Sequence, residues 1–417
     1  MNHWLRFLFY FAHVFLIAGC LESGPADDDD VLMTHAQAIH SAVITLDSHD
    51  DIPYDFATPA VDPLNADRQL TLEKMREGGL DVAFFIVYVA QTERTPENYA
   101  KAKTDAMIKF NAIHRMAEEM YPELIEIAYD ADDIERIHAS GKLVAAIGIE
   151  NGYVIGQDLS LLQTYYDLGA RYITLAHGGH NDISDSAQAR PQFGDDESEH
   201  EGISTFGTEV IEEMNRLGIM VDISHISKAA ALDAIRLSRA PVIASHSNAY
   251  ALAAHFRNMD NETLLALRNN GGVIQTVALD VFVKTPPPER NVALDELWIE
   301  FGLSPGNGPG TLAPEQRGLY DQRWAEILTR WPGATLEDFV DHIDYAVNLI
   351  GIDHVGISSD FDGGGGITGW QDAAETFNVT LELVRRGYNE TDIEKLWGGN
   401  LIRVWREVEA IAAATIN

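Results

Sequence analysis

The chain has almost no cysteine and few basic side chains for its length. A single cysteine, Cys20, stands among 417 residues, which excludes an intrachain disulfide framework. Lysine and arginine total 29 against 65 aspartates and glutamates, a formal net charge of −36. Binding nucleic acid requires a basic face, so nucleic acid is not an expected partner. The same deficit argues against attraction of the folded body to an anionic membrane surface, and the charge reads as solubility. No G-x-G-x-x-G stands at a strand-to-helix turn, which disfavours a dinucleotide site. What the chain does have is apolar mass: 46% of its residues are hydrophobic, enough for a large core.

The lone cysteine is explained by its position. Arg6 is followed by the apolar stretch Phe7 to Ile17 and then by Ile17-Ala18-Gly19-Cys20. The stretch is too short for a comfortable transmembrane helix. The pattern resembles a bacterial lipoprotein signal, in which the cysteine is acylated and becomes the new N-terminus. Residues 1–20 are therefore expected to be a signal peptide with Cys20 as the lipidation site. Leu21 and Glu22 follow, so the aspartate that commonly retains lipoproteins at the inner membrane is absent. The expected location is the cell envelope, facing the periplasm, with the outer membrane favoured and the lipid as the only membrane contact. Residues 21–30, with Asp27 to Asp30, read as an acidic tether, and residues 31–417 as the folded domain.

Eight apolar segments read as strands: Ala42–Leu46, Val82–Val89, Leu143–Ile149, Tyr172–Leu175, Ile219–Ile223, Val242–Ala244, Gly272–Thr276 and His354–Ser358. Most lack alternation, as strands buried on both faces do. Helical patterns separate them, as at Thr34–Ser41, Pro96–Met120, Ser160–Leu168, Gly207–Leu217, Lys228–Ser238 and Asn261–Arg268. Alternation of strand and helix implies a parallel sheet, and eight units favour a closed (β/α)₈ TIM barrel over an open sheet. Two long inserts, Ala187–Gly202 and the Pro- and Gly-rich Phe282–Gln322, should hang over the C-terminal face as lids or specificity loops. Thr391–Ala413 reads as helices packed on the outside.

The chemistry-bearing residues follow these strands. His49 and Asp51 form H-x-D after the first, Glu150 ends Leu143–Ile149, and His225 and His246 follow two more. In a barrel such strand ends converge at one mouth. Three imidazoles and two carboxylates can hold two divalent ions, with one carboxylate bridging. Glu150, a carboxylate at the end of a buried strand, needs a partner; a lysine or arginine could supply one, and two metal ions bridged by its two oxygens would do so better. Asp360 follows the last strand and is placed for a proton shuttle; Asp362 is a second candidate, although D-G-G also reads as a plain turn. His177 could be a sixth ligand or a donor to a developing oxyanion. Arg257 presents a planar fork suited to a substrate carboxylate.

At this point the chain resembles the membrane dipeptidase (renal dipeptidase) family of zinc peptidases. The segments that carry the likeness are Asp47-Ser-His-Asp-Asp51, Ile149-Glu150-Asn-Gly152, Arg171-Tyr-Ile-Thr-Leu-Ala-His177, Met220-Val-Asp-Ile-Ser-His225, Ala240-Pro-Val-Ile-Ala-Ser-His246-Ser247, Arg257-Asn258, His354-Val-Gly-Ile-Ser-Ser-Asp360-Phe-Asp-Gly363 and Gly398-Gly-Asn400. They are collinear, and the ordered set is highly specific. The resemblance implies a (β/α)₈ metallohydrolase with two zinc ions per chain. His49 and Asp51 would bind the first, His225 and His246 the second, and Glu150 both. Asp360 falls at the family's catalytic acid/base. His177 falls where the family polarises the substrate carbonyl, and Arg257 where it holds the C-terminal carboxylate. No lysine stands among the strand-end candidates, so a carboxylated-lysine bridge, frequent in related amidohydrolases, is not expected. The implied reaction is hydrolysis of a dipeptide, with a D-residue tolerated at the C-terminal position; the alternative is another small amide or ester, such as an N-acyl amino acid or a β-lactam. A homodimer is common among such proteins. The chain departs from the family at Asn151, where glycine often stands, and in the loop His177–Asp185, which lacks an Asn-Thr-Pro-Trp-like run.

Overall fold

The computed structural model describes residues 28–303 and 309–416. Cys20, the signal segment and most of the acidic tether lie outside the described residues. Among the described residues nine strands form, all paired in parallel: β1 Leu46–Asp51, β2 Val82–Tyr88, β3 Ile125–Ile127, β4 Leu143–Glu150, β5 Ala170–Thr174, β6 Met220–Asp222, β7 Ile243–Ser247, β8 Val273–Val277 and β9 Val355–Ser358. Eight follow one another in the order β1-β2-β4-β5-β6-β7-β8-β9. The short β3, unmarked in the sequence, pairs only with Leu143–Ala145 of β4, below the stretch that pairs with β5.

The ring closes between its first and last strands. Asp50 bridges to Phe361, with the Asp51 amide donating to the Phe361 carbonyl at 2.9 Å. Below that, the Ser359 amide donates to Oδ1 of Asp47 at 2.9 Å. This is a nearly closed parallel α/β barrel, as the strand count implied. Alternate residues of β2 divide between its two faces. Val82, Phe84 and Ile86 join the interior with Val144, Tyr172 and Met220. Ala83, Phe85 and Val87 face the surrounding helices. Both faces are buried, which is why the strands read as continuous apolar runs.

Four expectations are corrected. The first strand is Leu46–Asp51, not Ala42–Leu46, so His49 and Asp51 lie within it rather than past it. Within it Ser48 donates to the Ser245 carbonyl and Asp47 accepts from the Ser359 amide, while His49 and Asp51 face the other candidate ligands at the mouth. The N-terminal helix begins at Asp28 rather than Thr34. The insert 282–322 is largely helical: Pro288–Glu300 and Pro314–Arg330 pack on one another through Leu297, Leu303 and Tyr320. Pro288 and Pro314 stand in the first turns, where the missing N–H costs nothing, so they start helices rather than break them.

The last helix, Asn400–Ile416, lies across the barrel floor rather than on its outside. Leu401, Val404, Trp405 and Val408, one face at helical spacing, join the interior cluster, and the Trp405 ring lies 5.9 Å from that of Phe84. Arg403 anchors it by donating to the carbonyls of Gly271 and Asp353, just before β8 and β9. A barrel whose lower interior ends in Phe84 and Val144 needs an apolar cover there, and this helix supplies it. Among the described residues no helix is long and apolar enough to cross a membrane.

Candidate metal centre

Seven of the predicted site residues meet at the C-terminal mouth. His49 and Asp51 come from β1, Glu150 from the last position of β4 and His246 from β7. His177, His225 and Asp360 follow β5, β6 and β9. One oxygen of Glu150 is the hub. Its Oε1 lies 2.9 Å from Nε2 of His225, 3.4 Å from Nε2 of His246, and 3.7 Å from Nε2 of both His49 and His177. Asp51 Oδ2 is 3.8 Å from His49 Nε2. Three sets of donor atoms, each within 4.8 Å, could hold an ion: His49, Glu150 and His246; Glu150, His177 and His225; His49, Asp51 and Asp360.

The fit to a cation can be judged from the hydrogen bonds the ligands make elsewhere. The Tyr172 hydroxyl donates to the Ser48 carbonyl, so it must accept from Nδ1–H of His49, 2.9 Å away. The Ser245 hydroxyl donates to Oδ2 of Asp222 at 2.7 Å, so it accepts from Nδ1–H of His246 at 2.8 Å. Both rings are thereby held with Nε2 towards Glu150, as metal-bound histidines are held by outer partners. His49 Nε2 is buried with no hydrogen-bond partner. The Nε2 atoms of His225 and His246 converge to 2.7 Å. Imidazole and carboxylate donors gathered in this way fit divalent ions such as zinc.

Backbone strain also concentrates here. Asn151, His225, Asp360 and Asp362 have φ of 80°, 68°, 59° and 62°. Left-handed backbone is disfavoured for residues with a Cβ and collects at functional sites. It also accounts for the departure at 151: asparagine is among the few substitutes for glycine there, and its Oδ1 accepts from the Tyr153 amide at 3.1 Å.

The electrostatics are those of charges packed without water. Burial alone would raise the Glu150 carboxyl, but His177, His49 and hydrogen bonds from His225 and His246 hold it well below the usual range. Burial pulls His49 down, and the nearby charges of Glu150, Asp51 and Asp360 outweigh that to bring it to about 9. Asp51 is pushed up to about 6 by burial and by Glu150. Burial raises Asp360 well above the carboxylate range and keeps His225 and His246 well below the imidazole range.

The site faces a cavity of about 450 Å³ whose walls include Tyr88, Lys109, His177, Phe282 and Asp360. Arg257 borders an adjoining cavity of about 220 Å³ that shares His225. It is 6% exposed, its Nη2 donates to the His246 carbonyl at 3.2 Å, and its Nε has no partner. Asp362, the alternative shuttle, is engaged by Arg68 at 3.1 Å and by the amides of Gln69 and Leu70. It is a turn-holding residue, whereas Asp360 faces His49 and Asp51. The acidic insert 187–202 is organised by Asp185 and Asp195, which accept several of its backbone amides.

Sequence reasoning missed Tyr172, Asp222 and Lys109. Asp222 carried a signal, since a carboxylate inside a buried strand needs donors just as Glu150 does. Lys109 carried one too: it lies on the buried face of the helix Pro96–His114, with Ala102, Ala106, Phe110 and Ile113. Tyr172 carried none, because a tyrosine in a buried strand reads as core.

A parallel barrel with imidazoles and carboxylates converging at its C-terminal mouth defines a metal-dependent hydrolase. This chain belongs to the membrane dipeptidase family, peptidase family M19, whose model matches residues 33–417. It is a metallopeptidase that hydrolyses dipeptides. Dipeptidase tcpJ of Claviceps purpurea is 32% identical over 348 residues, 82% of this chain and 70% of that protein. The probable dipeptidase PvdM of Pseudomonas aeruginosa superposes with a TM-score of 0.81 at 35% identity, covering 91% of this chain and 99% of PvdM. A metallo peptidase of Rhodobacter sphaeroides, liganded with a phosphinate mimic of L-Ala-D-Ala, shares the fold at 21% identity and a TM-score of 0.68, covering 88% of this chain and 99% of that one.

Proposed function

We propose that this chain is a binuclear zinc dipeptidase that accepts a D-residue at the C-terminal position. His49 and Asp51 would hold one ion, His225 and His246 the other, and Glu150 both. The observation that carries this reading is the Glu150 carboxylate, buried with four imidazoles around a single oxygen. A lone carboxylate has no other reason to gather them. Ions bound there supply Lewis-acid polarisation and lower the pKa of water.

The protein's own groups do the rest. The Arg257 fork, with Nε unpaired, binds the C-terminal carboxylate and limits substrates to short ones. His177, held nearly neutral by burial, donates to the carbonyl oxygen as negative charge develops on it. Asp360, raised by burial, takes a proton on the attacking side and returns it to the departing amine. Tolerance of a D-residue is supported by the L-Ala-D-Ala mimic bound to the Rhodobacter protein. Comparing hydrolysis of L-Ala-D-Ala with that of N-acetyl-L-alanine tests the substrate class: turnover of the dipeptide is expected, and turnover of the N-acyl compound alone contradicts the reading.

Lipid attachment at Cys20, with the enzyme facing the periplasm from the outer membrane, is part of the same proposal and rests on the Arg6–Cys20 pattern alone. Labelled palmitate should enter the wild-type chain and not Cys20→Ser.

A further inference from the structure

The mechanism leaves a buried cation on the wall of the catalytic cavity unused. Lys109 projects from the helix that follows β2 into the wall of the catalytic cavity. It is 3% exposed, and among the described residues no hydrogen bond or ion pair within 4.0 Å reaches its ammonium. Its near neighbours are aromatic faces, with Nζ 5.2 Å from the Tyr54 centroid and 5.6 Å from that of Tyr88. Arg68, the other cation on this wall, is committed: it donates to the Asp51 carbonyl at 2.8 Å and pairs with Asp362. Lysine is seldom fully buried without a partner, because desolvating the ammonium is costly. Asp51 and Glu150 attract it through space, but neither forms an ion pair with it, so the ammonium is left without a contact anion.

Its place relative to the other substrate contacts indicates which anion. Arg257 lies beside His246, on the β7 side of the mouth. Lys109 stands over β2, beyond Tyr88, whose ring packs 4.8 Å from that of His177. A dipeptide with its C-terminal carboxylate at Arg257 and its carbonyl at His177 extends its N-terminal residue towards Tyr88 and Lys109. Lys109 repels the substrate's own ammonium as a like charge, which leaves an anionic side chain as the group of that residue that can meet it.

We infer that Lys109 is a specificity residue that selects dipeptides whose N-terminal residue carries a carboxylate side chain, aspartate or glutamate. The inference rests on the dipeptidase reading. A charge-assisted hydrogen bond in a desolvated pocket should favour glutamate over isosteric glutamine about tenfold or more.

The test compares kcat/KM for L-Glu-L-Ala, L-Gln-L-Ala and L-Ala-L-Ala on the zinc-loaded wild type, Lys109→Met and Lys109→Arg. The wild type should prefer Glu-Ala over Gln-Ala about tenfold, chiefly through KM. That ratio should fall to near one in Lys109→Met and survive in Lys109→Arg. A wild type that cleaves Ala-Ala without separating Glu from Gln refutes the subsite and leaves the dipeptidase reading intact, as does an undiminished ratio in Lys109→Met. A zinc-loaded wild type that cleaves none of the three overturns the hydrolytic reading and this inference with it. The wild-type ratio alone decides if the methionine variant does not fold.

Discussion

The Tyr172 hydroxyl stands 2.9 Å from Nδ1 of His49 while donating to the Ser48 carbonyl, so a side chain on β5 sets the tautomer of a proposed ligand on β1. Tyr172 is wholly buried and also packs on Phe84, at 5.3 Å between ring centroids. One residue thus joins the barrel core to the candidate metal centre. Tyr172→Phe keeps the packing and removes the acceptor for Nδ1–H. Zinc affinity should fall about 10–100-fold, the usual effect of losing an outer partner, with little change in melting of the metal-free protein. Competition against a chromogenic chelator measures this, and an unchanged affinity would show that the tyrosine only fills space.

Metal loading should release protons. In the metal-free protein His49 titrates at about 9, so at pH 7.5 it is protonated, and an ion must displace that proton. Calorimetry of zinc binding in buffers of different ionisation enthalpy should report a release of about one proton from this group. The stability linkage has a definite sign. A folded pKa above the unfolded 6.5 gives stability that is complete below 6.5 and lost as pH rises through 9. The urea midpoint of the metal-free protein should therefore decline between pH 6.5 and 9 by this contribution, and His49→Gln should flatten the decline.

The floor helix should matter for stability and not directly for chemistry. Trp405→Ala opens a cavity beneath Phe84 and should cost about 3–5 kcal/mol, as large-to-small changes at buried aromatics do. A lowered melting temperature with kcat within about twofold is the expected pattern. A loss below about 1 kcal/mol would mean that the helix merely rests against the barrel.

Much of the fold was legible because parallel-barrel strands are buried on both faces and leave continuous apolar runs, as at Val82–Val89 and Leu143–Ile149. The first strand was misplaced for the opposite reason: Leu46–Asp51 is mostly polar, and only the mouth it lines makes those residues fit a buried strand. The floor helix reads as an ordinary amphipathic helix, and nothing local distinguishes a stripe that plugs a barrel from one that covers its side. At the site, chain order and residue type pointed to His49, Asp51, Glu150, His225, His246, His177 and Asp360 as side chains that meet at one mouth, and they do meet there. Contacts such as Tyr172 to His49 join positions far apart in sequence and leave no local pattern. Asp360 and Asp362 could be told apart only once the partners of Asp362, Arg68 and the amides of Gln69 and Leu70, were visible.

The central claim is that one centre built on Glu150 binds the metal and that Asp360 moves the proton. It is tested most directly by zinc content and dipeptide turnover measured together on residues 21–417, for the wild type and Asp360→Asn. The account predicts about two zincs per chain in both proteins, with kcat in the variant lower by about 10²–10⁴-fold, the contribution typical of a positioned acid/base. No bound metal in wild-type protein kept from chelators, or full turnover in Asp360→Asn, would contradict it.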